Sequence, residues 1–120
     1  LAIGIGPFVV GPPIKRKIGV SAFSHLTINA TEWHAANWAK ERNLFAEVYD
    51  TIDAMDKAIQ ILAEKLAASN PDSMQALKKV FWEGTDHWDD LLMERAAMSG
   101  KRVLSKFTRE TLKRLKMGQA

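Results

Sequence analysis

TIDAMDKAIQILAEKLAA, residues 51–68, followed directly by SNPD, residues 69–72, is the stretch that decides the reading of this chain. Ile52, Met55, Ile59, Leu62 and Leu66 recur every three or four residues, the spacing that lays one apolar stripe along a helix. Asp53 and Asp56 fall near its start, where negative charge meets the helix dipole favourably. Asn70 can then cap a new helix with Pro71 at its first position, since a cap oxygen takes a free N–H and proline has none to lose. Met74, Leu77, Val80 and Phe81 give this second helix its own stripe, and Gly84 can end it.

Outward from this pair the pattern stays helical. Downstream, Asp86 can cap a helix running through Leu91, Leu92, Arg95 and Met98 to Gly100. A last helix carries Val103, Leu104, Phe107, Leu112 and Leu115, re-capped at Thr108. Upstream, Thr31 to Arg42 reads as a helix capped by Thr31, with Asn43 as a left-handed terminator. Ile14 to Gly19 and Val20 to Thr27 read as two short helices, the first opened by Pro12 and Pro13. Two pieces read as extended: residues 1–10, which mix β-branched residues with glycines, and Leu44 to Tyr49, which alternates. A short strand needs neighbours to pair with, so these two pieces point to strands contributed from elsewhere. No repeat or low-complexity tract is present.

Composition sets the outer bounds. The 120 residues, 47% apolar and 26% charged, suit one ordinary globular domain. Without cysteine there is no disulfide framework, thiolate metal site or cysteine nucleophile, which fits a reducing, cytoplasmic setting. The apolar run to Pro13 is shorter than the about 20 residues a bilayer span needs. Lys15, Arg16 and Lys17 follow it rather than precede it, the reverse of a signal peptide. No membrane association is therefore expected, and a chain opening inside an apolar run is expected to begin partway through a fold. Charge is uneven: Lys101, Arg102, Lys106, Arg109, Lys113, Arg114 and Lys116 face only Glu110 in the last twenty residues, +6 in a chain of net +3. A basic end fits a phosphate-bearing partner or a solvated helix end.

The familiar linear signatures of chemistry are missing. His25, His34 and His87 are not spaced as a helical metal pair, and no HExxH-type pattern occurs, so no metal site is expected. No serine sits in a nucleophile elbow. Gly4, Gly6 and Gly11 do not match GxGxxG, and serve equally as turn punctuation or as points of close backbone approach. Asp86, Asp89, Asp90 and Glu94 form an acidic patch, of which Asp86, Asp89 and Asp90 are explained by a helix start. Trp33, Trp38, Trp82 and Trp88 read as packing or interface anchors. A basic-tailed nucleic-acid binder is an alternative, but no aromatic interleaving or known module supports it, and no nucleic acid is expected.

The order of short motifs adds a family. Gly4-Ile5-Gly6-Pro7, then Val10-Gly11 and a short basic helix, resembles the glycine-proline turn of enoyl-CoA hydratase/isomerase (crotonase) enzymes. Leu26-Thr27 with Ala30 to Ala39 resembles that family's "LTG…SAEEA". Asn43-Leu44-Phe45-Ala46-Glu47-Val48 resembles "GLVNEVV", with Asn43 for the usual glycine. Leu66 to Pro71 followed by Leu77-Lys78-Lys79 resembles "A…IA.NPP.A…TK", and Phe107 with the cations after it resembles the terminal "AFLEKR". The resemblance spans nearly the whole chain in family order.

It implies the following. The fold would be mostly α as it stands, the C-terminal helical part of an α/β crotonase-like (ClpP/crotonase) spiral with one or two short strands. Residues 1–19 would end the α/β core, and residues 20–120 would form a helical oligomerisation and CoA-side region. The whole protein would act on acyl-CoA thioesters, backbone N–H groups holding the thioester enolate while glutamates move protons. Those glycines and glutamates would lie before Leu1, in an upstream half of the same protein, so no catalytic residue is expected here. Pro7 and Phe8 would edge the acyl pocket. Phe107 matches a CoA-contacting phenylalanine; Glu110 stands where the family has a cation, so Arg109 or Lys113 would replace it. No cofactor is implied beyond the coenzyme A of the substrate. The family assembles as trimers or hexamers. A non-catalytic helical assembly module is the other reading of the same residues.

Overall fold

The computed structural model describes residues 1–118. Among them lie six helices: α1 (Gly11–Ile28), α2 (Ala36–Glu41), α3 (Ile52–Ala67), α4 (Pro71–Phe81), α5 (Trp88–Val103) and α6 (Lys106–Lys116). They belong to two compact units. One is built from Leu1–Ala46 and the chain from Asp89 on, the other from Glu47–Trp88. No described helix is long and apolar enough to cross a membrane.

The second unit follows local sequence closely. Thr51 caps α3, its hydroxyl accepting from the Ala54 N–H at 3.2 Å. The Asn70 side chain accepts from the Ser73 N–H at 2.9 Å, and Pro71 opens α4 behind it. Gly84, at φ 75°, lies beyond the last turn of α4. The Trp82 and Trp88 rings meet edge to face, 5.9 Å apart. No residue on α3 or α4 is buried. Ile52 is 72% exposed, and Ile59 and Leu62 are each 56% exposed, so the stripe that folds α3 stays in solvent.

Among the described residues of the first unit the buried ones are all small: Gly11, Ala22, Ala39 and Thr108. They mark the places where backbones come close. The two upstream helices join as α1 across a break at Gly19, whose φ of 77° and ψ of 168° only glycine adopts readily. The break folds the chain so that the Phe23 ring sits against Gly11, 3.3 Å from where a β-carbon would stand.

Five sequence expectations are corrected. No strand occurs among the described residues, so the expected one or two short strands are absent. Residues 1–10 instead make turns, with Gly4 N–H bonded to Leu1 O and Phe8 N–H to Gly6 O, both at 2.8 Å. The expected strand over 44–49 fails because Leu44 and Phe45 both donate to Ala39 O, closing α2. Asn43 does take the left-handed conformation there, at φ 62°. Thr31 does not cap α2, which begins at Ala36 behind an extended Ala35. Its would-be first turn is spent otherwise, with Glu32 N–H donating to Asn29 O at 3.0 Å. Asp86 and Thr108 are not caps either. α5 begins at Trp88, and the α6 cap is Ser105, which receives the Thr108 N–H at 3.2 Å.

The Asn70 cap gives a direct test. Asn70→Ala is expected to lower amide protection in the first turn of α4 about fivefold, equivalent to about 1 kcal/mol, in a hydrogen-exchange measurement. Unchanged protection would show that the cap bond is not made in solution.

Candidate functional site

Three places in the first unit gather side chains that a ligand could use. The first is a shallow apolar groove of about 350 Å³ between the N-terminal segment and the end of α1, with Ile5, Pro7, Leu26 and Thr27 among its walls. Pro7 is therefore on the groove. Phe8 is turned away from this role; its ring folds back over Gly6, 2.8 Å from where a β-carbon would stand. The i to i+2 bond across Pro7 holds that reversal.

The second is the start of α6. Ser105 caps it twice, accepting the Thr108 N–H and donating its hydroxyl to Thr108 Oγ1 at 3.0 Å. Thr108 is fully buried there. The Gly4 turn lies directly on this cap, and a β-carbon on Gly4 would stand 2.6 Å from Thr108 Oγ1 and 2.7 Å from Phe107 Cδ1. With φ at 82° as well, the position demands glycine twice over. The fold thus brings the glycine-proline turn and Phe107 together, although a hundred residues separate them in sequence.

It does not bring Phe107 together with the expected cations. At 3.6 residues per turn, Arg109 is rotated by about 200° and Lys113 by about 240° from Phe107 around the helix. Arg109 and Lys113 are one turn apart and form their own basic edge. The cation on Phe107's own side is Arg114, two turns along, whose guanidinium donates to Thr111 Oγ1 at 3.2 Å. Sequence reasoning missed Arg114, though the seven-residue interval from Phe107 was there to be read. Glu110 also shares Phe107's side and pairs with Lys106 at 3.8 Å, an exposed ion pair of small energetic weight.

The third place was not foreseen. The end of α1 and the segment before α2 bring His25, Glu32 and His34 together, one possible ligand atom from each lying within 4.8 Å of the others. Asn29 N–H closes the α1 end on His25 O at 3.1 Å, and the following turn carries Glu32 back. There His25 Nε2 stands 3.8 Å from Glu32 Oε2, to which the Asn29 amide also donates. The His34 ring stacks on Trp38 of α2 with centroids 4.3 Å apart, and lies 5.0 Å from the His25 ring. Arg42 sits over the same Trp38, 5.7 Å from the ring centre. His34 Nε2 is buried without a hydrogen-bond partner, the one such side-chain atom among the described residues.

No known protein family, curated protein or solved structure matches the chain.

The Gly4 contact is testable by contrast with Gly84, which has a similar φ of 75° but open space around it. Gly4→Ala is expected to cost about 1–3 kcal/mol in denaturant midpoint and to shift the Phe107 ring resonances. Gly84→Ala should cost less and leave Phe107 unmoved. Equal costs with an unmoved Phe107 ring would show that the turn does not rest on α6.

Proposed function

We propose that the chain is the helical, assembly-forming end of a larger cytoplasmic enzyme of the enoyl-CoA hydratase/isomerase class, acting on acyl-CoA thioesters. The observation that carries this reading is the uncovered apolar stripe of α3, with Ile52, Ile59 and Leu62 more than half exposed and no buried residue on the helix. An amphipathic helix of this kind gains its stability from burying that stripe. Covering what remains exposed of Ile52, Met55, Ile59, Leu62 and Leu66 contributes on the order of 5 kcal/mol. In the proposed protein, other copies of the chain, in a trimer or hexamer, and the upstream half supply the cover.

Two features of the first unit support the acyl-CoA part of the reading. The groove beside Pro7 is walled by Leu1, Ile3, Ile5 and Leu26, surroundings suited to an acyl chain. Phe107, 57% exposed on a basic helix, presents an aromatic face of the kind an adenine stacks on, and Arg114, two turns along on the same side, is the cation placed for its phosphates. Proton transfer and enolate stabilisation would fall to residues outside this chain. The uncovered stripe equally supports a non-catalytic helical assembly module, and turnover separates the two.

A protein joining this chain to its upstream sequence is expected to hydrate a 2-enoyl-CoA and to sediment as a trimer or hexamer. The double substitution Ile59→Asp with Leu62→Asp should weaken association at least tenfold in analytical ultracentrifugation. Assembly without turnover or acyl-CoA binding would leave the module reading. A monomer insensitive to the double substitution would remove both.

A further inference from the structure

We infer that His25, Glu32 and His34 form a binding site for a divalent transition metal of the zinc class. The donor set is two imidazoles and one carboxylate with no sulfur, which suits Zn²⁺ and leaves a fourth position for water. Two ligands bound tetrahedrally at about 2.0–2.1 Å lie about 3.4 Å from each other. His25 Nε2 and Glu32 Oε2 are already 3.8 Å apart, and all three donors fall within 4.8 Å. Closing on a metal thus requires shifts of about 1 Å. The His25 and Glu32 side chains are both 49% exposed and have room to make them.

The second, independent observation is His34 Nε2. It has been taken out of water and given no partner, a costly state for a polar nitrogen. A metal bound at Nε2 would take up its lone pair and remove that cost. The surroundings are those of a supported ligand set. Trp38 fixes the His34 ring by stacking, and the Asn29 amide holds one oxygen of Glu32, as groups behind metal ligands commonly do. The open side faces solvent through His25 and Glu32, which gives an ion a way in. Arg42, the residue that closes α2, lies over Trp38 and its charge opposes a bound cation, which limits the affinity.

The site joins the end of α1 to the segment that leads into α2, so a bound ion would clamp the intervening turn. Equilibrium titration of the full chain with Zn²⁺ alone is expected to show one saturable site with a dissociation constant on the order of micromolar. His34→Gln and Glu32→Gln should each weaken it at least tenfold, while His87→Gln leaves it unchanged. Histidine ring resonances of the unsubstituted chain test the same point without any variant. One equivalent of Zn²⁺ should shift the His25 and His34 rings and leave the His87 ring in place. No saturable site, equal affinity in all three variants, or a shift confined to His87 would overturn the inference.

Discussion

The first unit depends on the contact between the Gly4 turn and the cap of α6. Thr108 is its centre: the Ser105 hydroxyl both accepts the Thr108 N–H and donates to Thr108 Oγ1, so the N–H and hydroxyl of Thr108 are both satisfied inside the contact. Gly4 lies against that closed cap with no room for a β-carbon. A buried threonine is tolerable only because its hydroxyl is bonded, and the glycine turn is placed only because the cap is small. The groove at Pro7 and the position of Phe107 both follow, since each flanks one side of this contact.

The remaining packing shows what such a design lacks. Buried positions are held by Gly11, Ala22, Ala39 and Thr108, while Ile59, Leu62, Val80, Leu104 and Phe107 are each more than half exposed. Small residues at close contacts fix geometry but bury little area, and the hydrophobic term scales with area. The large side chains that carry most of that term are therefore free to meet another surface. This division of labour supports reading the chain as part of an assembly.

What could be read in the sequence was local. Asn70-Pro71 marks the start of α4, Thr51 the start of α3 and Asn43 the end of α2, because each rests on bonds made within four residues. The strands could not be settled in the same way. Residues 44–49 alternate as a strand does, yet the N–H groups of Leu44 and Phe45 are taken by Ala39 O one turn back. The cap of the last helix was misplaced because Ser105 and Thr108 are both good cap residues three apart, and only the closed contact with Gly4 shows which is outside and which is in. The histidine cluster had no linear signature: His25 lies on a helix, Glu32 in a turn seven residues on, and His34 in the extended segment beyond. Its members meet through the fold of that turn, not through periodicity.

That turn also links the cluster to the groove. Leu26, Thr27 and Ala30 wall the groove, while His25 and Asn29, on the same end of α1, serve the cluster. Adjacent helical residues point about 100° apart, so one helix end can present one side to an apolar ligand and another to a polar one. The Thr27 hydroxyl, bonded back to Ser24 O at 3.2 Å, keeps its polarity within the helix. The Asn29 N–H to His25 O bond fixes where α1 stops, and therefore where both Ala30 and Glu32 stand. A perturbation of this single cap thus acts on both surfaces at once. The end of α1 therefore positions both the groove wall and the histidine cluster.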